Sequence, residues 1–291
     1  MTPSPSLLAA EDVRIDVDGV PTCDGLTFRT TGTHVLVLGA PRALFDATCG
    51  LAKVVRGTLA VRGTAAAAAA AQSVVAGAAQ EMPLPPRWTV AEYIQWSARL
   101  AGVPAPEAKR STDVAIEKLR LGPLAKTETS RLVLHGRRAT IVASALATCA
   151  EVIALDDPLG GLADDVSIAY AGVLAEALAD RAWVVFAPRM PLVSVLAERA
   201  DEAIVATALR VEAQGAPAAL AASTHRFVAR LDGPAQPVLA EIEARGVAVE
   251  LHGAHLVLDL GSAMTTCELV AMCAAADVSV VELMPVARAL T

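Results

Sequence analysis

The stretch His34–Thr48, HVLVLGAPRALFDAT, sets an uninterrupted apolar run against a glycine turn and then a segment of helical spacing. A strand that alternated with one wet face would show polar residues at every second place, so a run of this kind predicts a strand buried on both faces. The same texture recurs in EVIAL (Glu151–Leu155), WVVFA (Trp183–Ala187) and EAIVA (Glu202–Ala206). Segments long enough for crossover helices, Asp165–Ala179 and Pro191–Arg199, separate the later runs, which predicts a parallel sheet covered by helices. The first sixty residues read differently. RIDVDG, LTFRTTG and TLAVRG are short alternating segments divided by glycine turns, the pattern of an antiparallel patch beside the parallel core.

Farther along, Thr89 and Glu92 in TVAE form a capping box, and the helix they begin is expected to stop at Gly102 ahead of Pro104. Trp88, Tyr93 and Trp96 cluster on it, either as the packing of one amphipathic helix or as a groove for a partner helix. From Phe227 the order is FVARL, AEIEARG, VAVEL, HLVLDL, CELVAMCAAAD and VSVVEL, a β-α-β-β-α-β succession that predicts a small ferredoxin-like domain over residues 225–291. Its helix is expected to run from Ala240 to Gly246, and Gly253 to serve the hairpin turn. The stretch Val211–His225, with Gly215 and Pro217 among alanines, is expected to be the linker.

Composition narrows the function classes. A net charge of −7 without a dense lysine or arginine block argues against nucleic acid or an anionic membrane surface as partner. The mean hydropathy of +0.49 is inflated by alanine. The uncharged stretch Thr64–Gln80 is mostly alanine, and no membrane insertion of the chain itself is expected. The opening MTPSPSLLAAED lacks a basic n-region, so a cytoplasmic location is expected. The five cysteines are scattered without metal spacing and are expected to be buried free thiols.

The turn after HVLVLG is where a phosphate-binding loop would sit. Such a loop has the form G-x-x-x-x-G-K-[ST], with backbone N–H groups around the phosphates, a lysine on the terminal ones and a hydroxyl on Mg²⁺. Gly39 fits, but Leu44 stands for the second glycine, Phe45 for the lysine and Asp46 for the hydroxyl residue, while Pro41 removes an N–H donor. By itself the segment reads as an ordinary strand-to-helix turn.

Taken together, the segments resemble the ATP-binding subunit of an ABC transporter. GLTFRTTGTHVLVLGAPRALFDATCGLAKVVRGTLAVRG (residues 25–63) is similar to the family's first lobe. Gln80 falls at the Q-loop glutamine, LVLHGRRATIVASALA (Leu132–Ala147) at the signature segment and its helix, EVIALDDPLGGLADD at the Walker B strand and the D-loop with Asp164, and WVVFAPRMP at the switch strand. The order holds over about three-quarters of the chain. The resemblance implies an α/β, P-loop NTPase-like core over residues 1–220: a mixed sheet, an antiparallel patch, and a helical subdomain at about 85–148. The C-terminal α+β domain resembles the extension on some exporter-type subunits.

Carried over residue by residue, the resemblance makes Gly39, Ala40, Pro41, Arg42, Ala43, Leu44, Phe45, Asp46, Ala47 and Gln80 the nucleotide-binding positions. Asp156 and Gln80 fall at the metal positions, Asp157 and Arg189 at the catalytic ones, and Leu132, Val133, Leu134, His135 and Gly136 at the signature. Asp157 stands for a glutamate one methylene longer and Arg189 for a histidine that arginine cannot replace as a proton carrier. Val133, Leu134 and His135 replace the serine and glycines of LSGGQ, obstructing a backbone nest; a different register around His135–Gly136 stays open. No aromatic residue near Asp18–Gly19 offers adenine a platform, which forgoes about 1–3 kcal/mol by analogy with base stacking. Loss of the lysine forgoes about 2–5 kcal/mol.

The implied ligand is therefore ATP with Mg²⁺, weakly held. The implied partners are a transmembrane permease and a second ATP-binding subunit in a homo- or heterodimer, which would place the chain at the inner face of the cell membrane. Two other readings stay open: an active export ATPase using Arg42, Arg189 and Asp157, and a soluble scaffold without a transport role.

Overall fold

A computed structural model describes residues 5–190, 194–223, 225–252, 255–261 and 263–285. Strands β1 (Leu8–Val17) and β2 (Val20–Arg29) form a hairpin about Asp18–Gly19, both with positive φ. The first core strand β3 (His34–Leu38) and helix α1 (Arg42–Thr48) follow. The chain then returns to the hairpin through β4 (Val54–Val61) and β5 (Thr64–Ala65), giving an antiparallel sheet of order β2-β1-β4-β5. Gly57 in β4 has a φ of 77°, and a Cβ there would overlap the carbonyls of Glu11 and Asp12, so the strand passes its partner only as glycine.

The alanine-rich stretch divides into β5, helix α2 (Ala66–Ala71) and strand β6 (Val75–Ala78). Three helices follow: α3 (Val90–Leu100), α4 (Ala105–Lys118) and α5 (Leu134–Ala147). The expected box caps α3: Thr89 Oγ1 accepts from the Glu92 N–H, and the Glu92 carboxylate accepts from the Thr89 N–H at 2.8 Å. Trp88 and Trp96 meet edge to face at 5.3 Å; Tyr93 is buried in the core against which Trp88 packs, whereas Trp96 is exposed.

The main sheet is completed by β7 (Val152–Asp156), helix α6 (Asp164–Ala177), β8 (Ala182–Ala187), helix α7 (Val195–Arg199) and β9 (Glu202–Ala206). Residues 191–193 of the helix expected from Pro191 lie outside the described residues; Ser194 caps the part that is described. Segment 211–225 is not a plain linker. It forms β10 (Val211–Gly215), antiparallel to β9, and helix α8 (Pro217–Ser223). Gly215 and Pro217 punctuate the passage from strand to helix.

The resulting order is β10-β9-β3-β8-β7-β6, parallel except for β10. Alternate residues of each core strand enter opposite layers. Leu36, Leu38, Ile153, Leu155, Trp183 and Val185 pack toward α3–α6. Val35, Val37, Val152, Ala154, Val184 and Phe186 pack toward α1 and the antiparallel sheet. Burial on both faces is the physical reason these strands read as unbroken apolar runs.

The remaining elements are β11 (Arg226–Asp232), α9 (Gln236–Ala244), β12 (Ala248–His252), β13 (His255–Asp259), α10 (Thr266–Ala275) and β14 (Ser279–Pro285). Their sheet is antiparallel in the order β12-β13-β11-β14, the ferredoxin-like arrangement, around a separate core of Ala229, Val238, Ile242, Leu256, Leu258 and Leu269. Helix α9 starts a turn before Ala240 because Pro237, in its first turn, needs no N–H partner there. Gly253 lies outside the described residues. Among the described residues no helix is long and apolar enough to cross a membrane. Cys23 and Cys273 are buried as expected, but Cys149 and Cys267 are exposed.

Candidate functional site

The candidate site lies where β3, β6, β7 and β8 end. Gly39 turns the chain with a φ of 75°, and its N–H donates to the Ala187 carbonyl at 3.0 Å, which holds the end of β3 to the end of β8. Ala40 and Pro41 lead into α1, with Pro41 at its N-cap. The helix is short, and its burial follows from its sequence: Ala43, Leu44, Phe45 and Ala47 all lie in the core. Phe45, expected from the sequence to stand for the P-loop lysine, is 1% exposed and meets the Phe186 ring at 5.8 Å. Its ring is part of the hydrophobic layer that also holds Val35, Val37 and Val184.

Two residues of the same helix stay polar. The Arg42 Nε lies 3.4 Å from Asp156 Oδ2 and 3.9 Å from Asp46 Oδ1. Asp156 is buried at the end of β7 and also accepts from the Gln80 N–H at 3.2 Å. Burial pushes its carboxyl above the usual range, while the Gln80 N–H and Arg42 pull it back. The Gln80 side-chain amide donates to Asp157 Oδ2 at 2.9 Å, so one glutamine ties the end of β6 to both aspartates.

Asp157 has a φ of 38°, unusual for a residue with a Cβ. Its N–H donates to the Phe186 carbonyl at 2.7 Å and its carbonyl accepts from the Gly160 N–H at 3.2 Å. A side chain at Gly160 would overlap the Asp157 carboxylate where it stands, so glycine there lets the carboxylate keep this position. Burial raises the Asp157 carboxyl as well, opposed first by the cation of Arg138 and last by that of Arg189. Arg189 follows β8 on an exposed stretch. Asp164 opens α6 with its side chain in the first turn, where a negative charge suits the helix dipole.

Sequence reasoning missed Arg138. This side chain is 5% exposed and donates through Nη1 to the carbonyls of Asp157 and Pro158, both at 3.3 Å, clamping the turn that carries Asp157. Its Nε and the Tyr170 hydroxyl are buried without a hydrogen-bond partner. The signal was available in part: an arginine beside the uncharged run ATIVASALA sits on a helix buried from Arg138 to Ala147, where a charge must find acceptors.

The signature positions fall apart from this cluster. Leu132 is buried, Val133 is the N-cap of α5 without a side-chain bond, and Leu134 and His135 are exposed in its first turn. Gly136 is buried against Leu124 and Leu132. Leu134 lines a cavity of about 450 Å³ together with Gln80, Met82, Arg137 and Arg138.

These side chains do not fit a magnesium ion as arranged. Asp46 and Asp156 both face the Arg42 guanidinium, a cation already in the place where the ion would sit. Among the described residues no three His, Cys, Asp or Glu side chains are grouped to hold a metal.

No protein-family model and no curated protein matches the chain. Solved structures do. CbiO1 from Clostridium perfringens, part of the ABC transporter complex cbiONQ, has a TM-score of 0.63 at 18% identity, over 75% of this chain and 92% of that one. An ATP-binding subunit of an ABC transporter gives 0.60 at 17%, over 74% and 92%. MJ1267, an ATP-binding cassette of an ABC transporter, gives 0.62 at 16%, over 72% and 91%. About three-quarters of the chain therefore has the fold of the ATP-binding subunits of ABC transporters.

Proposed function

We propose that the chain is a degenerate ABC-type ATP-binding subunit that docks on a membrane permease and acts there in a structural or regulatory way, with weak nucleotide binding and no efficient ATP hydrolysis. One observation carries the loss of chemistry: Phe45 fills the lysine position and is packed into the core, so no rotation brings a cation to a terminal phosphate from there. Asp157 supports the same reading. Its short carboxylate is held by the Gln80 amide, away from the freedom an attacking water would require. The fold supports the permease part, since the CbiO1 structure belongs to a transporter complex.

Equilibrium dialysis against Mg-ATP and purification from detergent-solubilised membranes test the two halves separately. Weak, millimolar-range retention of nucleotide and co-purification of a multispanning membrane protein are expected. Micromolar binding would overturn the first half, and a chain recovered free of any membrane protein the second.

A further inference from the structure

The positive charge nearest Asp156 is built into the chain. In a site that holds a divalent ion, a buried aspartate at the end of a core strand would face the metal or its water with no fixed cation of the chain beside it. Here both contacts on Asp156 Oδ2 are supplied internally, by the Gln80 N–H at 3.2 Å and the Arg42 Nε at 3.4 Å. The same guanidinium nitrogen is 3.9 Å from Asp46, the residue standing where a metal-binding hydroxyl would be. Arg42 is one turn before Asp46 on α1, so the helix geometry aims both at one place. Arg42 keeps about half of its side chain exposed, so it holds this position without being locked into the core.

We propose that Arg42 is the resident cation of this site: it takes the place of a divalent metal between Asp46 and Asp156 and thereby excludes one. The proposal rests on the reading of Asp156 as the metal-facing residue and is tested without nucleotide or permease, so its failure is separable from a failure of the proposed function. A cation fixed by covalent attachment faces the aspartates at a high effective concentration, whereas a metal ion must first displace it. With Arg42 removed, the two carboxylates that shared its guanidinium lose their counter-charge and gain by gathering a metal from solution.

The experiment is Mn²⁺ binding to the full chain, followed by the loss of the free-ion electron paramagnetic resonance signal, with circular dichroism to confirm the fold of each variant. The wild-type chain is expected to bind Mn²⁺ weakly. Arg42→Gln should bind it about tenfold more tightly or better, as the removal of a facing unit charge implies. Arg42→Lys, which keeps a cation there, should behave as wild type, and Arg42→Gln combined with Asp156→Asn should lose the gain. Mn²⁺ binding by Arg42→Gln no tighter than wild type, a gain equally present in Arg42→Lys, or a gain that survives Asp156→Asn would each overturn the proposal.

Discussion

At the scale of single residues, the proposed loss of nucleotide chemistry turns most on position 45. Phe45→Ala should cost about 3–5 kcal/mol of stability, because it opens a cavity against Phe186. Phe45→Lys should destabilise further and leave nucleotide binding no better, because an ammonium would be set into the apolar layer shared with Val35, Val37 and Val184. Urea midpoints of the two variants check both statements. The sequence carried this site only in part. Phe45, Asp156, Asp157 and Gln80 were named from their places in the chain, and the geometry gathers the last three. Arg138 was not foreseen, because its partners are backbone carbonyls on a distant turn, and no residue type announces a carbonyl.

The two aspartates also give the fold a pH dependence of defined sign. Burial raises both carboxyls in the folded chain above their unfolded values. Their contribution to stability is therefore complete below about pH 4 and lost as pH rises through the raised folded values. Asp157→Asn should remove its share of this loss. The stability of the variant relative to wild type should increase between about pH 4 and about pH 7, read as a growing difference in urea midpoint. Capping carboxylates such as Glu92 and Glu268, whose values are lowered, act in the opposite sense and are common to both proteins, so they cancel in the comparison.

At the scale of elements, periodicity and capping were the dependable signals. The apolar runs became core strands, and the capping box at Thr89 starts its helix as the side-chain chemistry requires. Thr89→Ala should lower stability by about 1 kcal/mol, seen as a lower Tm, because one N–H at the start of α3 loses its acceptor. The segment from Val211 departs from the expected linker for a physical reason. VEAQGAPAALAAS has weak strand character and a Gly-Ala-Pro break, and it becomes β10 and α8 only because β9 offers an open edge to pair with. A tertiary partner decided what local propensity left undetermined.

At the scale of the whole molecule, the C-terminal sheet has its own core, with no residue shared with the two layers around the main sheet. All three tryptophans, Trp88, Trp96 and Trp183, precede it. Leu258→Ala should cost this small core about 2–5 kcal/mol. The circular dichroism transition should then split, while the tryptophan-fluorescence midpoint stays at the wild-type value. The order of elements, and with it the likeness to ABC-type ATP-binding subunits, was legible because it is spread over many segments. The state of the site was less so, since it turns on which side chains face one another across loops.

Phosphate release from saturating Mg-ATP by the purified chain, beside Asp157→Ala as the control, bears most directly on the proposal that this ABC-like fold does not hydrolyse ATP efficiently. The expected result is release no faster than from the control. Turnover near about 1 s⁻¹, within the ordinary range for enzymes, and abolished by Asp157→Ala would contradict it.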